Sequence, residues 1–105
     1  MEVIMAINLS SDTSDTNSTV YLSGPQTVTT SEVEAKVGGS REVNRQTLSI
    51  YNDGSSTIYF GPTGVTSSTG EPLLKKQRVE IPVSDIGVYM ITASGSSTVI
   101  IQELG

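Results

Sequence analysis

Through the second half of the chain, short runs in which aliphatic or β-branched side chains alternate with polar ones are separated by clusters of Gly, Pro, Asn, Asp and Ser. Side chains that alternate in direction at every residue bury one face of an extended segment, so each run reads as a strand and each cluster as a turn. Between Gln46 and Asn52, Leu48 and Ile50 point one way while Ser49 and Tyr51 point the other, and Asn52-Asp53-Gly54 follows with residues tolerant of φ > 0. This predicts a hairpin whose return strand is Thr57–Phe60. Gly61-Pro62-Thr63-Gly64 and Thr69-Gly70-Glu71-Pro72 then bracket a loop carrying Val65. Arg78–Val83 places Val79, Ile81 and Val83 opposite Glu80 and Pro82, and a Pro within a strand belongs at a sheet edge or a bulge. Val88–Ala93 and Thr98–Glu103 flank Ser94-Gly95-Ser96-Ser97 as a second predicted hairpin. Both strands are apolar on nearly every residue, which places them in the middle of a sandwich or against a partner chain.

The first half is less regular. Val20–Leu22 starts a short strand that should end at a Ser23-Gly24-Pro25 turn. Thr27–Val37 alternates at period two and favours a strand, although Ser31-Glu32-Val33-Glu34 also matches a helix capping box. Glu2–Leu9 is apolar enough to be a strand or a docking arm, and Ser10–Thr19, which holds no apolar residue, reads as an exposed tether. With 105 residues the chain makes one domain, so residues 20–105 form a single β domain and residues 1–19 an appendage to it. The expected fold is all-β: a compact antiparallel β-sandwich or small jelly-roll-like barrel with about seven short strands.

Composition narrows the chemistry. The chain has neither Cys nor His, which removes disulfides, thiolate nucleophiles and the commonest general base and metal ligand. A net charge of −5 opposes nucleic-acid binding, which needs surplus Lys and Arg on one face. No apolar run is long enough to span a membrane, and Met1–Leu9 lacks the pattern of a signal peptide, so synthesis in the cytoplasm is the expectation. Charged residues are only 16%, and Ser and Thr supply roughly a quarter of the chain, so the surface is largely hydroxyl.

Candidate sites are few. Asp12, Asp15 and Asn17 have the composition of a calcium loop without its spacing. Glu32, Glu34, Glu71, Glu80 and Asp85 could supply an acid/base pair, but solvated strand faces account for all five. Asn17-Ser18-Thr19 is a formal glycosylation sequon without a secretory signal. No catalytic residue, metal site or cofactor is expected. Lys75, Lys76 and Arg78 form the one basic cluster, either guarding an edge strand or docking an acidic protein surface. Tyr59 and Phe60 are adjacent in a strand and face opposite ways, so at most one of them is core. Val3, Ile4, Met5, Ile7 and Leu9 would each forfeit about 1.5–3 kcal/mol if left in water, which makes the N-terminal segment a second candidate contact.

The stretches YNDGSSTIYFGPTGVTSSTGEPL, KKQRVEIPV and VYMITASGSSTVIIQEL, over about Asn52–Leu104, resemble a pattern of small structural proteins of tailed bacteriophages. The resemblance implies a non-enzymatic virion component, above all a capsid decoration (cement) protein that stabilises the shell across subunit joints. Tail, baseplate or head-fibre components are the neighbouring possibility, and a carbohydrate- or receptor-binding β-module is a reading of another class. It also implies the major capsid protein as partner, a homotrimer, and the outer capsid surface as location, with neither nucleic acid nor membrane bound.

Overall fold

The structure is a computed structural model and describes residues 20–105. These residues contain no helix and form eight strands: β1 (Tyr21–Val28), β2 (Val33–Glu34), β3 (Thr47–Asn52), β4 (Ile58–Gly61), β5 (Glu71–Leu73), β6 (Arg78–Ile81), β7 (Tyr89–Thr92) and β8 (Ser97–Leu104). They pair antiparallel as β1 with β8, β2 with β7, β3 with β6 and β4 with β5, the pattern of one long ribbon doubled back at the β4–β5 connection. Rolling that ribbon brings β3 against β8 and β4 against β7. Two four-stranded sheets result, ordered β1-β8-β3-β6 and β2-β7-β4-β5, which is jelly-roll strand order. The expected all-β two-sheet class is the observed one.

Rolling explains where local turn chemistry misleads. Asn52-Asp53-Gly54 is not a hairpin, because β3 and β4 lie in different sheets; the same holds for Ser94–Ser97 between β7 and β8. Both are corners that carry the chain from sheet to sheet. The hairpin among the described residues is β4–β5, closed through the loop around buried Val65, and Glu71 and Pro72 belong to its return strand rather than to a turn. Nor do Ser23-Gly24-Pro25 end β1, which runs straight through them. Thr27–Val37 is extended as expected but divides into the end of β1, a bend and β2, and its capping-box residues start no helix. In the bend the Ser31 N–H donates to Thr29 Oγ1 at 3.1 Å. β6 stops at Ile81, at the edge of its sheet as predicted, with Pro82 just beyond.

The core follows the alternation. Leu48 and Ile50 of β3, Ile58 of β4, Met90 of β7, and Val99 and Ile101 of β8 are fully buried between the sheets, with Val28, Leu73 and Val88 beside them. β7 and β8 are interior strands, as their apolar composition requires. Of the adjacent aromatics, Phe60 packs against this core, while Tyr59, in register with Ile91 and Pro72, faces outward.

Candidate functional site

Among the expected contact residues, Val3, Ile4, Met5, Ile7 and Leu9 lie outside the described residues, as do Asp12, Asp15 and Asn17. Lys75, Lys76 and Arg78 surround the tight turn from Leu74 to Gln77, where Gln77 N–H donates to Leu74 O at 3.1 Å and Leu74 N–H to Gln77 Oε1 at 3.0 Å. Lys76 sits at φ 65, the left-handed conformation that the third residue of such a turn demands. Its ammonium lies 3.0 Å from Asp53 Oδ1, and that hydrogen bond with its charge raises the Lys76 pKa above the ordinary value. Arg78 turns instead onto the outer face of its sheet, over the Tyr51 ring at 5.2 Å, and donates to Ser49 Oγ at 2.6 Å. Two of the three cations are thus engaged by the protein's own groups, and Lys75 stands exposed at the turn. An open groove of about 400 Å³ adjoins them between the edge strands β5 and β6, lined in part by Phe60, Leu73, Val79 and Arg78.

The carboxylates do not assemble into an acid/base pair. Glu32 accepts Gly64 N–H at 2.6 Å and Thr63 Oγ1 at 3.2 Å, latching the β4–β5 loop. Glu34 and Asp85 are joined through Arg41, at 2.8 and 3.0 Å. The hydrogen bond to Glu34, with the charges of both carboxylates, raises the Arg41 pKa despite some desolvation. Glu71 and Glu80 are exposed on edge strands. Among the described residues no three acidic side chains group as metal ligands, and no helix is long and apolar enough to cross a membrane.

Sequence reasoning missed the two buried polar clusters. Glu103 accepts Arg45 Nη1 at 2.7 Å, Glu42 N–H at 2.9 Å and Val37 N–H at 3.2 Å, and both ionic side chains are fully buried. Arg45 also donates to the carbonyls of Ser84 and Ile86, at 2.9 and 2.7 Å. At the opposite end, Asn52 Nδ2 donates to Ser56 O and Leu73 O, while Asn52 Oδ1 accepts Gly54 N–H and Ser97 Oγ–H. Arg45, Glu103, Asn52 and Ser97 are buried, and through them these clusters hold loops.

The most distinctive exposed feature is the outer face of the sheet β1-β8-β3-β6. Its strand registers set side chains in rows: Tyr21, Leu104 and Thr47; Ser23, Gln102, Ser49 and Glu80; Pro25, Ile100, Tyr51 and Arg78; Thr27 and Thr98. Charge enters this face from β6, whose Arg78 guanidinium lies over Tyr51 and covers Ser49 of β3. Across the other three strands the face is hydroxyl, amide, aromatic and aliphatic, with Tyr21 69% exposed.

Comparison with family models, curated proteins and solved structures finds no match for this chain.

Proposed function

We propose that this protein is a non-enzymatic structural component of a bacteriophage virion that decorates the capsid and stabilises it by binding across subunit joints. The observation that carries the reading is the outer face of β1 and β8, whose own side chains there carry no charge. Interface centres lose charged residues and gain Tyr and apolar groups, and the rows Tyr21–Leu104 and Pro25–Ile100, separated by Ser23–Gln102, have that composition. Sheet edges limit its width, so the major capsid protein and further copies of the chain in a homotrimer are the partners that would enlarge it to the ~800 Å² per side of a stable contact. Such a role needs neither cofactor, nucleic acid nor membrane.

Locating the chain in a purified particle by electron microscopy tests this directly. Density on the outer shell, with this sheet facing capsid subunits or sister copies, is the expected result. Density confined to tail, baseplate or fibre would replace decoration with the neighbouring role, and Ile100→Asp binding particles as well as the parent would remove this face from the contact.

A further inference from the structure

The four edge strands of the sandwich differ in what they offer a further strand. β2 has two residues and β5 three, with Pro72, which has no N–H, in the middle of β5. β1 is longer, and Gly105 N–H donating to Val20 O at 2.9 Å sets the phase of its ladder. Even-numbered residues of β1 exchange bonds with β8, and odd-numbered ones, Pro25 among them, turn their backbone to the open side, which therefore lacks a donor near its centre. β6, Arg78–Ile81, is different. Asn52 N–H donates to Gln77 O at 2.9 Å, so in the β3–β6 register Val79 and Ile81 exchange bonds with β3, whereas Arg78 and Glu80 turn both N–H and C=O away from it. Among the described residues β6 has a ladder with β3 alone. Its side chains also alternate in kind. Arg78 and Glu80, of opposite charge, are exposed on the outer face, and Val79 between them faces the core but is only half-buried, at the wall of the groove it shares with Phe60 and Leu73. Charges on an edge deter a strand that brings like charge and favour one that brings the opposite sign at each position.

We infer that β6 is a joint between two copies of this chain, paired antiparallel about a two-fold axis at Val79. In that register Arg78 stands opposite Glu80 of the second copy, Glu80 stands opposite its Arg78, and Val79 meets Val79. The backbone phase agrees with the charges. Arg78 and Glu80 are the residues whose N–H and C=O face outward, so the two opposite-charge pairs are also the hydrogen-bonded pairs, with four N–H···O=C bonds in all, and Val79 falls at the close, non-hydrogen-bonded position. A slip of the partner by two residues would set Arg78 against Arg78 or Glu80 against Glu80, so the strand selects one register. Arg78 keeps its place over Tyr51, since a guanidinium has donors beyond the one given to Ser49. The pairing joins two four-stranded sheets into one of eight and brings together the two grooves walled by Val79. It lies at the opposite margin of the sheet from β1 and does not rest on the virion role. The outer face of β1 and β8 stays clear for a three-fold contact, which together with this joint would give six chains.

Sedimentation of the full chain over a concentration series tests this. The expected result is an even number of chains, two or six, with Glu80→Arg halving that number or raising the dissociation constant about tenfold or more, because two opposite-charge pairs become two like-charge ones. Arg78→Glu should do the same, and mixing the two variants should restore the pairing, since each brings the charge the other lacks. Arg78→Glu also gives up its contacts with Tyr51 and Ser49. Should it fail to fold, Glu80→Arg decides together with hydrogen exchange of the parent, in which the Arg78 and Glu80 amides should lose protection on dilution while those of Val79 and Ile81 keep it. A single-chain mass up to ~1 mM, an assembly that Glu80→Arg leaves unchanged, two folded variants that stay apart when mixed, or Arg78 and Glu80 amides protected in a lone chain would each overturn the proposal.

Discussion

The inward face of β8 runs Ser97, Val99, Ile101, Glu103, so the strand that crosses the middle of the core ends in a buried polar side chain at each extremity. At the Ser97 end the cluster is neutral and centred on one side chain: Asn52, the last residue of β3, ties the β3–β4 corner to the ends of β5 and β8. At the Glu103 end it is ionic and spans distant loops, because Arg45 and Glu103 between them hold the backbone at Val37, Glu42, Ser84 and Ile86. A corner that turns within a few residues can be satisfied by one amide. Loops with no ladder to anchor them need acceptors and donors supplied from the core, and a carboxylate with a guanidinium offers more of both.

The largest expected effect comes from breaking the ionic end. Glu103→Ala leaves the Arg45 guanidinium buried without its counter-charge, and denaturant unfolding should show a loss of about 3–5 kcal/mol, a large part of a small domain's stability. Replacing both partners, Arg45→Met with Glu103→Leu, removes the unpaired charge but leaves Val37 and Glu42 N–H without acceptors and the Ser84 and Ile86 carbonyls without their donor. The double variant should recover part of the loss and remain below the parent by about 1–3 kcal/mol in all. Full recovery would mean that these loops take water instead, and that the ion pair anchors nothing.

The neutral end should yield less. Asn52→Ala removes four hydrogen bonds at once and strands Ser97 Oγ and Gly54 N–H, a cost of about 1–3 kcal/mol by denaturant unfolding. Asn52→Asp sharpens the comparison by putting a carboxylate where no cation waits, with the carbonyls of Ser56 and Leu73 facing its oxygens. Burial and those carbonyls, which face the oxygen replacing Nδ2, favour the protonated acid and outweigh the Gly54 N–H and Ser97 hydroxyl that donate to the other oxygen, so its folded pKa should stand above the unfolded value of about 3.9. Stability of this variant should then be greatest below that value and fall as pH rises. Equal stability at pH 4 and pH 7 would show that the two ends tolerate charge alike.

These clusters also mark the boundary of what could be read from the residues alone. Alternation revealed Leu48, Ile50, Val79 and Ile81 as inward-facing, and two-faced apolarity placed β7 and β8 in the interior, because each depends on neighbours a few residues away. Corners and hairpins share the same residues, Asn, Asp, Gly and Ser, so the sheet-to-sheet crossings after Asn52 and before Ser97 were indistinguishable from hairpins; the distinction lies in pairing between β8 and β3, far apart in the chain. Pro25 looked like a terminator because only the ladder phase shows that its missing donor falls on the open side. Glu103 left one trace, a charge continuing the inward sequence of Val99 and Ile101, but Arg45 sits outside any periodic run. Of the expected contact residues, the partners of the basic cluster were hidden for a related reason: adjacency in sequence does not say that Lys76 folds toward Asp53 while Arg78 lies across Tyr51.

The smallest effect expected lies just outside the neutral end, in the exposed pair of Lys76 and Asp53, which tests whether charge matters only where it is buried. Asp53 raises the Lys76 pKa above its ordinary 10.5, so whatever the pair contributes is fully present below that value and is lost as pH rises through the folded pKa. Across the neutral range, Lys76→Met should melt indistinguishably from the parent, since both side chains are solvent-exposed and the contact is screened by salt. The backbone should matter more than the charge. Lys76 occupies φ 65, where a Cβ is unfavourable and glycine is not, so Lys76→Gly discards the same ion pair yet relaxes the turn. Its melting temperature should rise above that of Lys76→Met and above the parent. A fall in both variants by the same amount would show instead that the exposed ion pair, rather than the left-handed turn, sets the stability of the β5–β6 connection.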